Sequence, residues 1–235
     1  MYILCCIFAV LCSLILPISL TVILCARYKG IWKPILFGAL TFTVFQVLIR
    51  IPLLTLVLPN QGWFILMSSA QPVNYALFLG VTAALFEEGG RFLVMWLFMK
   101  KQTSTSDGIA FGIGHGGIEA ILLVGISSVL LLFTPAELAS AGTVAASGFE
   151  RLSTLAIQIG FSVMVMKTVR EKNYLWLLLA FIIHTVLDFG VMLISGGISI
   201  WIIEVVVFAV ALGMAWYTWR EFKKFPDDLP ERKQI

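Results

Sequence analysis

The chain has 235 residues, 60% of them hydrophobic and only 12% charged, with a mean hydropathy of +1.00. A soluble domain carries about a quarter charged residues, so this composition excludes a water-solvated fold and makes the bilayer the main solvent. The net charge of +3 is too small and too dispersed for a nucleic-acid partner.

A spanning helix needs roughly 20 mostly apolar residues. In chain order the apolar stretches run 3–26, 34–58, 72–99, 108–133, 149–169, 174–195 and 198–219, each ending at charges, Pro or Gly. The expectation is an all-α transmembrane bundle of about seven spans, with 1–220 as one membrane domain and 221–235 as a charged cytoplasmic tail. The first stretch lacks a basic leader region and exceeds the apolar core of a signal peptide, so it reads as a retained helix. All four cysteines (Cys5, Cys6, Cys12 and Cys25) fall in that stretch without metal spacing and read as small apolar residues. The last two spans, joined around Gly196-Gly197, are expected to form a tight antiparallel hairpin.

Basic residues set the topology. Arg27, Lys29 and Lys33 follow span one, Lys100 and Lys101 follow span three, and Lys167, Arg170 and Lys172 end span five. Arg220, Lys223, Lys224, Arg232 and Lys233 follow span seven, whereas the connections around 59–71, 134–148 and 195–198 hold no Lys or Arg. Cytoplasmic loops carry the Lys/Arg excess, which predicts seven spans with the N-terminus outside and the C-terminus inside.

Ionisable groups inside a membrane are costly and face a partner or a wet cavity. Span three carries Glu87, Glu88 and Arg91, span four carries His115 and Glu119, and span six carries His184 and Asp188. Residues four apart share a helix face, which pairs Glu87 with Arg91, His115 with Glu119 and His184 with Asp188. At about 1.5 Å per residue, His115, His184 and Glu88 lie roughly 10, 15 and 18 Å from the basic ends, so the three patches are able to meet at one level. Two imidazoles and a carboxylate make a zinc shell with one position left for water; His115, His184 and Asp188, with Glu119 as an alternative, are the candidate metal ligands. A nearby Glu can act as general base, and Arg91 can hold a carboxylate or stabilise an oxyanion. The duller readings are an intramembrane salt bridge at Glu87, Glu88 and Arg91, satisfied polar histidines, and a packing face at the glycine-rich stretch 112–117. Arg50 beside Pro52, Glu150-Arg151 and Glu204 fall towards the outer side, with Glu150 and Arg151 reading as a cap on span five.

At these residues the sequence resembles the membrane endopeptidase superfamily of the CAAX prenyl endopeptidases and bacteriocin-processing enzymes. That pattern is paired Glu followed by Arg, then Phe-x-x-x-His, then His-x-x-x-Asn or Asp; here it reads Glu87-Glu88-Gly89-Gly90-Arg91, Phe111-Gly112-Ile113-Gly114-His115 and His184-Thr185-Val186-Leu187-Asp188. The run from Gly114 through His115 and Glu119 to Ala120 is similar to the YhfC branch of small bacterial membrane proteins. Two residues rather than three separate Glu88 from Arg91, which turns Arg91 around the helix by about 100°. The resemblance implies a multi-pass peptidase of the bacterial plasma membrane in which one Glu of the pair activates water and His115, His184 and Asp188 complete the site. The reading is an intramembrane peptidase, with or without Zn2+, acting on a membrane-embedded or lipid-anchored peptide near the cytoplasmic side. A proton- or ion-coupled transporter or channel using the same cluster, and a non-catalytic scaffold, are the alternatives.

Overall fold

Leu48, Leu56, Val186, Val205 and Trp216 point outward in this computed structural model, whereas its largest fully buried side chain is Arg91. Lipid demands this inversion: apolar side chains are at ease in hydrocarbon, and polar ones must find partners inside the bundle. The structure describes residues 1–134, 139–195 and 197–224. In chain order their long helices are α1 (Tyr2–Arg27), α2 (Trp32–Asn60), α3 (Gly62–Ala70), α4 (Pro72–Phe98), α5 (Thr105–Leu131), α6 (Ala141–Glu171), α7 (Leu175–Ile194) and α8 (Ile200–Lys224). Six of these are long and apolar enough to cross a membrane by themselves; α3 and α4, bent by 116° at their junction, count as a seventh if taken as one broken span. Pro72 opens α4, where its missing N–H is no loss to the new helix but cannot continue the old one. The protein is a multi-pass α-helical membrane protein.

Two boundaries differ most from the sequence reading. Helix α6 starts at Ala141, where Ser140 caps it by accepting a hydrogen bond from the Thr143 N–H at 3.1 Å. The small residues of 141–148 dilute hydropathy but still make a helix, so Glu150 and Arg151 lie well inside α6 and cap nothing. Helix α8 runs to Lys224, which takes the first residues of the expected 221–235 tail; the rest of that tail, and Gly196 of the expected hairpin turn, lie outside the described residues.

Helix α5 packs against α2 and α6, α4 against α7, and α8 against α6. Lipid supplies no hydrophobic drive for helix association, so tight crossings depend on small residues. At the α2–α5 crossing a Cβ on Gly38 would overlap the Phe111 carbonyl oxygen, and one on Gly114 would overlap that of Ile35. Gly112 and Gly116 face Ile159 and Gln158 of α6, which makes the glycine run a packing surface. The expected tight α7–α8 hairpin does not form: α7 leans on α4 and α8 on α6, with few contacts between them. Lys167 ties α6 to Glu221 of α8 at 3.2 Å near the basic end, and at the opposite end the three helices enclose a cavity.

Candidate active site

Each carboxylate of the Glu87-Glu88 pair sits on one of the chain's two histidines. Successive residues on a helix point about 100° apart, so α4 sends Glu87 towards α5 and Glu88 towards α7. Glu87 Oε2 lies 3.1 Å from His115 Nε2, and Glu88 Oε1 lies 2.7 Å from His184 Nδ1. Arg91, one turn on, donates to Glu88 and, at 3.2 Å, to Glu87 Oε2. The side chains of Glu88, Arg91 and His115 are wholly buried. The His184 ring stacks on Phe161, centroids 5.0 Å apart and planes within 6°, and the His115 ring meets the edge of Phe42 at 5.3 Å.

A second layer comes from helices without a histidine. Gln158 of α6 donates to Glu87 Oε2 at 3.1 Å and to Glu119 Oε2 at 2.6 Å, and accepts from Arg91. Gln46 of α2 donates to Glu87 Oε1 at 2.5 Å. Arg50 donates to Gln46 Oε1 at 3.2 Å and to the Leu79 carbonyl at 2.8 Å, on a stretch of wide π-type turns over Thr43–Arg50. Such turns are frequent at functional sites. Arg50 is therefore joined to the site through Gln46, not remote from it. Gln46 and Gln158 are neutral and do not stand out among the ionisable groups of the spans. The usable signal was that a buried amide also costs free energy unless hydrogen-bonded.

The structure divides the expected ligand set. Ligand atoms of Glu87, His115 and Glu119, all buried, lie within 4.8 Å of one another. His184 and Asp188 form a separate pair, with Nε2 and Oδ2 3.6 Å apart, on the other side of the Glu pair. Glu119 does not hold the His115 tautomer: its partners are Arg151, at 2.9 Å, and Gln158, while His115 Nδ1 is buried without a hydrogen-bond partner among the described residues. The reason lies in α6, which packs along α5 and sets Arg151 against Glu119. Ion pairs join four carboxylates (Glu87, Glu88, Glu119, Glu150) to two guanidiniums, Arg91 and Arg151. Glu87, His115 and Glu119 offer one imidazole nitrogen and two carboxylates, ligand types that a zinc ion accepts.

A cavity of about 380 Å³ borders this cluster. Glu87, Glu119, His184 and Asp188 reach its wall; Glu88, Arg91 and His115 stand behind it. It extends past Glu150, Arg151 and Glu204 to Ser195, Ile198 and Ile200, at the α7–α8 end of the bundle, where the connections carry no Lys or Arg. Glu150, Arg151 and Glu204, assigned from depth alone to a region away from the site, line the same cavity.

The YhfC family model, described as YhfC intramembrane metalloprotease, matches residues 12–147 and 134–207. The chain belongs to the YhfC family. A relative from Bacillus subtilis (strain 168), named "Uncharacterized membrane protein YhfC", is 32% identical, covering 79% of this chain and 82% of the relative. No solved structure matches the chain. The matched stretches of this YhfC chain include all three polar patches, from Glu87 on α4 to Asp188 on α7.

Proposed function

We propose that this YhfC-family protein is an intramembrane metallopeptidase, hydrolysing peptide bonds of membrane-embedded or lipid-anchored chains that lie in the α6–α7–α8 cavity. One observation carries the reading: each histidine is held by a different member of one buried Glu pair, beside a cavity large enough for a peptide segment.

In this reading Glu87, His115 and Glu119 hold a divalent ion, Zn2+ fitting the donor set. Such an ion would supply Lewis acidity, making water acidic enough to attack near neutral pH. The remaining work falls to the chain's own side chains. Glu88, paired with Arg91, is an acceptor only, so it fixes the His184 proton on Nδ1 and leaves Nε2 as a proton acceptor at the cavity wall. His184 Nε2 takes a proton from the attacking water as its oxygen bonds to the scissile carbonyl carbon, then passes that proton to the leaving amine nitrogen. Asp188, 3.6 Å from Nε2, favours the protonated imidazole between those events. Arg91 lies off the cavity and is a positioning residue for both carboxylates. The amide of Gln158 keeps Glu87 and Glu119 facing each other. This assignment moves the proton-transfer role from the Glu pair to His184 and gives the pair two tasks, holding the ion and orienting the imidazole.

The test is metal content and cleavage on one preparation. Purified protein in nanodiscs is expected to retain about one divalent ion per chain, and to release products from a membrane-peptide library that chelator suppresses and metal restores. His115→Ala and Glu119→Gln should lower the bound metal, and His184→Asn should abolish cleavage while leaving metal in place. Cleavage undiminished in His184→Asn, or pH-driven ion flux with no peptide products, would overturn the reading.

A further inference from the structure

Glu204, on the first turns of α8, has no role in the site described above. It is 4% exposed and lines the cavity. Its Oε2 is buried without a hydrogen-bond partner among the described residues, and no ion pair within them reaches the side chain. A carboxylate in the hydrocarbon layer is retained where a partner or a wet cavity compensates for lost hydration. The cavity offers room but no cation to spare. Among the described residues its wall carries five carboxylates (Glu87, Glu119, Glu150, Asp188 and Glu204), with Arg151 the only arginine or lysine. Arg151 is already engaged by Glu119 and Glu150.

We infer that Glu204, with Glu150 across the cavity on α6, forms a subsite for a cationic group of the peptide: a lysine or arginine side chain, or a free amino terminus. The inference rests on the peptidase reading of the cavity and adds a specificity-determining residue to it. Helix rise gives the spacing. Glu204 lies about 6 Å along α8 from Ile200, and His184 lies about 16 Å along α7 from Ser195, at about 1.5 Å per residue. With Ser195 and Ile200, joined by a short connection, taken as level, the two groups are offset by roughly 10 Å along the bundle, or about three residues of extended peptide at about 3.3 Å each. The cationic residue sits about three positions from the scissile bond, on the side nearer the α7–α8 turn. The same geometry gives a direction of entry, from the end of the bundle that lacks basic loops and between α7 and α8, which pack on α4 and α6 more than on each other and meet at Trp176 and Tyr217 near the other end. A lysine arriving there would replace part of its lost hydration with a fixed carboxylate, whereas a glutamate would meet a wall of like charge.

The test is equilibrium binding, separate from turnover. Fluorescent Leu/Ala spanning peptides carrying one Lys, Gln or Glu near the terminus, each with a free or an acetylated amino end, are titrated onto chelator-treated protein in nanodiscs. The full-length wild type, Glu204→Gln and Glu204→Lys are compared. The wild type is expected to bind the Lys peptide about tenfold more tightly than its Gln analogue, Glu204→Gln to lose the preference, and Glu204→Lys to bind the Glu peptide best. A structural role for Glu204 would not produce that charge swap. A Lys-over-Gln preference among the acetylated peptides assigns the subsite to a side chain, and a preference for free over acetylated ends, whichever residue is carried, is the charge preference that assigns it to the amino terminus. Absence of charge preference in the wild type, including absence of binding, or its persistence in Glu204→Gln overturns the inference. Charge-selective binding without products from metal-replete protein would leave the subsite standing and remove the peptidase reading; products without charge preference would do the reverse.

Discussion

Replacing Glu88 by glutamine isolates the step that distinguishes an oriented imidazole from a structural salt bridge. Glu88 is wholly buried, and its Oε1 accepts from both Arg91 and His184 Nδ1, the latter at 2.7 Å. Glutamine has nearly the same shape and no charge. If its amide oxygen stays on Arg91, the carboxylate that favours a protonated His184 is gone, and an amide N–H is stranded where Oε2 already lacks a partner. If the amide turns over, its N–H meets Nδ1 and drives the ring proton to Nε2, so His184 can no longer accept one. General acid–base groups contribute about 10²–10⁴ to rate, so turnover per folded molecule should fall by that amount, about 3–5 kcal/mol in barrier. Arg91 keeps Glu87 and Gln158 as partners, which limits the stability loss. Cleavage of a labelled spanning peptide in nanodiscs is normalised to folded protein by thermal unfolding of the same samples. The discriminating measurement is the cycle with His184→Asn: if Glu88 acts through His184, adding Glu88→Gln to His184→Asn costs little further. A folded Glu88→Gln that cleaves within threefold of wild type, or independent effects of the two changes, would refute this assignment.

Gly114→Ala should force α2 away from α5, because the new methyl overlaps the Ile35 carbonyl; a loss of about 1–3 kcal/mol is expected as a lowered unfolding temperature in detergent. Gly213→Ala on α8 meets nothing within 4 Å and should change stability by no more than about 1 kcal/mol. Arg151→Met leaves Glu119 and Glu150 without their cation. It should cost about 3–5 kcal/mol, read by chemical unfolding, with Arg151→Lys intermediate. Gln46→Leu removes the 2.5 Å donor to Glu87 and should weaken metal retention by about 10- to 100-fold, measured by competition with a chelating dye.

The fold was legible because hydrocarbon selects so strongly: runs of apolar residues can satisfy their backbone in lipid only as helices. What hydropathy could not place were stretches that are helical without being greasy, such as the small residues before Glu150 and the polar start of α5 at Thr105–Asp107. The polar patches were legible for the complementary reason that charges are scarce in spans. Spacing along one helix found the Glu87–Arg91 pair, which the structure joins at 3.2 Å. Spacing cannot reveal which helices touch, so the Glu87–His115 and Glu88–His184 contacts, and the presence of Glu87 rather than His184 and Asp188 in the compact ligand group, needed the packing. Gln158 and Gln46 escaped because a neutral amide hardly alters hydropathy, yet in a buried cluster it decides which carboxylates face each other. The α7–α8 opening escaped because a short turn fixes where two helix ends lie but not which neighbours their lengths choose.

Hydrolysis in water enriched with heavy oxygen puts the central claim to the most direct test. Metal-replete wild-type protein should convert a spanning peptide into two fragments, the new carboxyl terminus carrying one heavy oxygen by mass spectrometry, and Glu87→Gln should yield neither. Intact peptide after exhaustive incubation with folded, metal-loaded wild type, or labelled fragments formed equally well by Glu87→Gln, would contradict the account.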